Sequence, residues 1–106
     1  VTPEEKKRDS YLRRTYGITN TSYMELLDFQ RGCCAICNKP AEHFNTRLAV
    51  DHDHVTGEIR GLLCNYCNHR VIGRHRDPEL LRVMAEYVSR HTGWFVPKKK
   101  KKKIVK

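Results

Sequence analysis

Residues 48–68 read L-A-V-D-H-D-H-V-T-G-E-I-R-G-L-L-C-N-Y-C-N. Two carboxylates and two imidazoles stand there in four consecutive positions: Asp51, His52, Asp53 and His54. A Cys-x-x-Cys pair, Cys64 and Cys67, closes the stretch and is followed at once by Asn68. A second such pair, Cys34 and Cys37, lies upstream. This mixture suits phosphodiester hydrolysis, which needs a base to prepare water and a cation for the charge that builds on phosphorus and on the leaving oxygen. A neutral histidine suits the base, since an unperturbed imidazole has a pKa of about 6.5. Asp51 and Asn68 offer a carboxylate and an amide oxygen, hard ligands of the kind Mg²⁺ takes while keeping several waters. They meet only if the segment after Cys67 packs against the one carrying Asp51. Strict strand alternation puts Asp51 and Asp53 on one face and His52 and His54 on the other. For Asp51 and His52 to share a site, the strand must end or bulge near them. Two blander readings stay open: a polar turn, or a second zinc site on His52 and His54.

The cysteines are easier to read. Four of the five fall into the two Cys-x-x-Cys pairs, a spacing that tetrahedral zinc sites use, so Cys34, Cys37, Cys64 and Cys67 are assigned to one structural zinc. Four thiolates leave no position for water, so this ion cannot activate a nucleophile. A secreted disulfide scaffold would favour an even count and scattered spacings, and a redox motif would need only one pair. Cys33 is left over as a small buried residue or spectator thiol. A reducing cytoplasm is the expected compartment.

A chain of 106 residues is expected to form one domain, small enough to need a staple. No apolar run approaches the roughly 20 residues of a membrane span, and no membrane partner is expected. The opening V-T-P-E-E-K-K-R carries no apolar region behind its charges, so no signal peptide is expected there. The formal charge of +9 resides mostly in one place. Residues 98–103 and Lys106 carry seven of the 21 basic side chains, leaving 14 against 12 acidic ones in residues 1–97. The tail, which includes Lys98, Lys99 and Lys100, is expected to be disordered when free. It would add salt-sensitive affinity for nucleic acid, although a targeting or solubility element would look the same.

Several elements must position these groups. Thr2-Pro3-Glu4-Glu5 predicts a capping box and a polar helix to about Tyr16, stopped by Gly17. Thr19 or Ser22 starts a second helix, with Tyr23, Leu26, Leu27 and Gln30 on one face and Gly32 closing it. Residues 47–53 and 58–63 predict two short strands around a loop holding Thr56 and Gly57. A helix from Asn65 to near Gly73 carries Cys67 and Asn68. Asp77-Pro78 opens a last helix, with Leu80, Leu81, Met84, Tyr87 and Val88 at helical spacing and Gly93 at its end. Tyr66 and Trp94 are read as packing residues.

The run V-D-H-D-H-V-T-G-E-I-R-G-L-L-C-N-Y-C-N, with the upstream C-A-I-C, resembles the signature of the phage recombination endonuclease VII family, within the HNH (ββα-metal) nucleases. The likeness spans about residues 11–90. It implies an α+β fold: a small zinc-stapled ββα-metal (HNH, or His-Me finger) domain with flanking helices over residues 1–97, its core at 33–74, and a basic tail at 98–106. By position, the resemblance makes Asp51 and Asn68 ligands of a catalytic Mg²⁺ or Mn²⁺ and His52 the general base. His54 would support catalysis by binding phosphate or aiding the leaving group, and the four cysteines match the family's zinc ligands. It also implies products with 5′-phosphate and 3′-hydroxyl ends. Asn68 stands where an HNH motif ends in histidine, with His69 as a fallback ligand. Arg60, on the second strand, is expected to hold a phosphate, and Arg70 and Arg74 to meet the DNA backbone. The expected partner is duplex or branched DNA, with monomer or homodimer left open. The rival reading is a non-catalytic, zinc-finger-like DNA-binding module. It has little use for acidic residues beside phosphate, because Asp51 and Asp53 would repel DNA without a cation between them.

Overall fold

Thr2 opens the first helix, α1 (Pro3–Tyr16), with the expected capping box. Its hydroxyl accepts from the Glu5 N–H at 3.1 Å, and Glu5 Oε1 accepts from the Thr2 N–H at 3.0 Å. Gly17 ends α1 in the left-handed conformation. Thr19 caps α2 (Asn20–Phe29) by accepting from the Ser22 N–H, so Ser22 lies inside the helix. The computed structural model of the chain describes residues 1–90, which belong to two units divided at His75/Arg76. Gly93, Trp94 and the lysine tail lie outside the described residues, as do the sequence expectations placed on them.

The sheet is an antiparallel hairpin of β1 (Ala49–His52) and β2 (Ile59–Leu63), each somewhat shorter than the sequence suggests. A lone hairpin of this size is marginal in water, so it depends on what packs behind it. That packing is supplied by one small core of Leu12, Tyr23, Leu48, Val50, Leu62 and Leu63 together with the thiols of Cys34, Cys64 and Cys67. Both helices therefore join the core that holds the cysteines, α1 through Leu12 and α2 through Tyr23. Tyr23 is buried, and its hydroxyl donates to the Leu48 carbonyl at 2.6 Å, just ahead of β1. Arg8 of α1 lies over the face of the same ring, 4.6 Å from its centroid.

Gln30 is the join between α2 and the hairpin. Its side-chain amide donates to the Leu62 carbonyl at 3.0 Å and to Cys33 at 2.8 Å, and its oxygen accepts from the Leu62 N–H at 2.9 Å. The amide thus mimics a strand partner for Leu62 while holding the first cysteine pair against β2. Gln30→Leu should remove all three bonds and leave the Leu62 N–H unpaired at a part-buried site, while the Leu62 carbonyl keeps the Ala35 N–H at 3.1 Å. An expected loss of roughly 1–3 kcal/mol follows, to be read from the urea midpoint of zinc-loaded protein; an unchanged midpoint would refute this role.

After β2 the chain turns helical at Asn65 and then widens into a π-turn, Cys67–Val71, in which the Ile72 N–H donates to the Cys67 carbonyl at 2.9 Å. Gly73 follows where a Cβ would lie 2.5 Å from the Asn68 carbonyl oxygen and 2.6 Å from that of His69. No larger residue fits that closure without moving backbone. In the second unit, Asp77 caps α3 (Pro78–Ser89) by accepting from the Glu79 N–H, and Leu80, Val83, Met84, Tyr87 and Val88 are exposed. Among the described residues no helix is long and apolar enough to cross a membrane.

Candidate active site and metal centre

The four cysteines expected to converge do so. Ligand atoms of Cys34, Cys37, Cys64 and Cys67 all lie within 4.8 Å of one another, and Cys37 Sγ is 3.9 Å from Cys64 Sγ. Sulfurs on a tetrahedral zinc at about 2.3 Å stand about 3.8 Å apart, so the donor set and its spacing fit that ion. The loop is built for it: Asn38 takes a left-handed φ of 62°, and its N–H donates back to the Cys34 carbonyl at 3.0 Å. Burial pushes the Cys34 thiol up, but N–H groups of Cys64, Cys37 and Ile36 outweigh it and bring the group to about 6. Burial and the neighbouring sulfurs push Cys67 up to about 12. The cluster thus resists becoming four thiolates by itself, and a dication is what reconciles them. Cys33 points away, with Sγ 3.4 Å from the Arg31 carbonyl, and is half-buried rather than buried.

On the hairpin, Asp51 pairs with Gly61 but His52 pairs with Ile59, so Arg60 is an extra residue in β2. This bulge lies in β2, opposite the step from Asp51 to His52, and β1 itself ends at His52. Asp51 is only 9% exposed, and both its oxygens accept from Arg60: Oδ2 from Nε at 2.8 Å and Oδ1 from Nη2 at 3.1 Å. Arg60 is therefore on the same face as Asp51, and its guanidinium is engaged by the carboxylate.

His52 sits in a row of rings. His54 stacks on it, with centroids 4.7 Å apart and planes 7° from parallel, and Tyr16 from the end of α1 meets it edge-on at 5.6 Å. The sequence did not mark Tyr16 for this place. Its position on the helical pattern shows only that α1 ends there, and the contact arises from how α1 crosses the hairpin. Asp53 does loop work instead. Its Oδ1 accepts from the N–H groups of Val55 and Thr56 at 2.8 and 3.0 Å, its own N–H and carbonyl bond Glu58 and Gly57, and Gly57 supplies a φ of 81°.

The Thr56 and Val55 N–H groups lower the Asp53 carboxyl below its ordinary 3.8. A depressed carboxyl contributes loop order that is fully present above 3.8 and lost as pH falls through its lower folded value. An acid titration followed by NMR should therefore show the Val55 and Thr56 amides shifting together with a midpoint under 3.8. A midpoint at or above that value would contradict the Asp53 turn.

Asn68 follows Cys67 directly on the π-turn, half-buried, with its N–H bonded to the Cys64 carbonyl at 2.9 Å. Its placement is thus tied to the cysteine centre. His69, Arg70 and Arg74 are exposed on or just after the same turn. Lys98, Lys99 and Lys100 lie outside the described residues.

A model of the family described as recombination endonuclease VII matches residues 9–90. The chain belongs to that family. Among curated proteins, the Gene 59 protein of Mycobacterium phage L5 is 51% identical over 63 residues, covering 59% of this chain and 38% of the phage protein. The Gene 59 protein of Mycobacterium phage D29 is 47% identical over 75 residues, covering 70% of this chain and 45% of that protein. The chain thus spans less than half the length of these two relatives. No solved structure matches it significantly.

Proposed function

We propose that this member of the endonuclease VII family is a metal-dependent DNA endonuclease of the HNH, or ββα-metal, type. In this reading His52 takes a proton from the attacking water, and Asp51 and Asn68 hold a divalent cation, Mg²⁺ or Mn²⁺. Water adds in line to phosphorus, the P–O3′ bond breaks, and the products carry a 5′-phosphate and a 3′-hydroxyl. When bound, the cation supplies positive charge for the phosphorane and the leaving oxygen. His54, stacked on His52, would contact the phosphate or protonate the leaving oxygen. Exposed Arg70 and Arg74 would track the backbone of duplex or branched DNA, with the lysine tail adding sequence-independent affinity. The zinc would have all four positions filled by cysteine and serve structure alone.

The observation that carries this reading is the buried Asp51 carboxylate at the end of β1, next in sequence to His52, where the strand stops. A buried carboxylate and an imidazole are thus neighbours at the strand end of a hairpin whose second strand runs straight into Cys64 of the cysteine centre. The donor set suits a cation, since the buried Asp51 carboxylate already has a positive group against it in Arg60. That same pair is the one observation favouring the rival, a zinc-finger-like binding module, because it satisfies Asp51 with no metal at all.

A supercoiled-plasmid assay separates the two. Zinc-loaded protein should convert plasmid to open circle or linear form with Mg²⁺ or Mn²⁺, and an excess of EDTA should stop it. DNA binding without cutting, under every divalent ion and on branched DNA as well, would leave the binding module standing.

A further inference from the structure

The bulge opposite Asp51 and His52 repositions Arg60. Cross-strand partners in an antiparallel pair share a face. In an unbroken register Arg60 would oppose His52 and lie on its face, opposite to Asp51. The inserted residue moves Arg60 to the Asp51 side. One guanidinium then engages both carboxylate oxygens, and its Nη2 also comes within 3.4 Å of the His52 carbonyl. The two ends differ in exposure: the Asp51 side chain is 12% exposed and that of Arg60 39%. Arg60 thus reaches from a buried acid to a surface that a phosphodiester can touch.

A guanidinium has five donors in a fixed fork, and a bidentate grip on a carboxylate uses the same edge that would grip a phosphate. A hard cation needs the carboxylate oxygens that the fork now covers. We propose that Arg60 is a positioning residue that exchanges partners: without nucleic acid it holds the buried Asp51 carboxylate, and on DNA binding it moves to a backbone phosphate and frees Asp51 to take the divalent cation. The inference rests on the reading of Asp51 as a cation ligand. It assigns Arg60 a role that phosphate contact alone does not contain. DNA and the divalent ion become linked ligands, each tightening the other by the same factor. Without DNA, Asp51 is never a bare buried charge, and the cation site stays weak.

The test measures Mn²⁺ binding by electron paramagnetic resonance on the zinc-loaded full chain, with and without a short DNA duplex. All proteins carry His52→Ala to prevent cutting. A soft four-thiolate centre discriminates against Mn²⁺, so the signal reports the hard site. The duplex should tighten Mn²⁺ binding about tenfold, within the range usual for coupled sites. Adding Arg60→Gln should tighten DNA-free Mn²⁺ binding by a similar factor and shrink the effect of the duplex to less than about threefold. Unchanged or weaker Mn²⁺ binding in Arg60→Gln, with the duplex effect intact, overturns the exchange. If Arg60→Gln fails to retain zinc, Arg60→Lys takes its place. A single ammonium covers the carboxylate less fully, so a smaller gain in the same direction is expected, and no gain overturns the proposal. Asp51→Asn separates the two levels. If it keeps the parent's Mn²⁺ affinity, the assignment of the cation to Asp51 has failed. If it loses Mn²⁺ while Arg60→Gln behaves like the parent, only the exchange has failed.

Discussion

Stripping metal from the four-cysteine centre should unfold Val1–His75, not merely inactivate it. Among the described residues, three of the nine buried core residues are the thiols Cys34, Cys64 and Cys67, so the centre is part of the core itself. The hairpin is only two strands, and neither helix would be stable alone. Zinc bound to such a set contributes about 10–16 kcal/mol in small zinc domains, whereas a whole domain is typically stable by about 5–15 kcal/mol. The metal's share is therefore as large as the total, and little remains when it leaves. The metal-free protein also inherits an awkward charge state, with Cys34 lowered to about 6 beside a Cys67 pushed up to about 12. A strong zinc chelator should abolish the dispersed amide spectrum of the first unit, and added Zn²⁺ should restore it. Cys64→Ser should behave like the stripped protein, while Cys33→Ser should keep full zinc content, since its sulfur lies outside the cluster. A dispersed spectrum in metal-free protein would show that the apolar contacts suffice.

What could be read in advance divides along a physical line. Helix starts were legible because caps are local: Thr2, Thr19 and Asp77 each bond an N–H two or three residues away, and residue type nearly determines that. The cysteine centre was legible because zinc fixes both ligand type and spacing. The bulge at Arg60 was only a condition the sequence had to meet, since bulges arise from pairing between strands and leave no local signature. For the same reason Arg60 could be placed near the site but not on Asp51. The π-turn at Cys67–Val71 was hidden because its residues read as ordinary helix, and the 2.5 Å approach of Gly73 to the Asn68 carbonyl exists only once the turn is closed. Gln30 and Tyr16 share that difficulty. One looked like a helix-face residue and the other like a helix end, yet each acts on an element far along the chain.

His52→Ala should lower plasmid nicking by about 10²–10⁴-fold, the usual contribution of a positioned general base, while leaving zinc content and DNA binding intact. His52 is half-buried, ends β1 and contacts Tyr16 and His54 only through ring faces and edges. Among the described residues no hydrogen bond of its side chain holds the hairpin, so truncation should not unfold the domain. It should instead leave a gap about the size of the missing ring between Tyr16 and His54. That gap supplies a sharper test than loss of activity. Added imidazole should enter it and restore part of the nicking rate in His52→Ala, with saturation as the gap fills. The same imidazole should do nothing for Asp51→Asn, whose defect would lie in holding the cation. Tyr16→Leu should show a smaller loss than His52→Ala, because the base remains but one wall of its slot is gone. Full nicking activity in His52→Ala would remove the imidazole from the chemistry and leave the ring stack a packing feature. Lost activity with no imidazole rescue, alongside intact folding, zinc and DNA binding, would instead give His52 the task of positioning His54, which stacks on it.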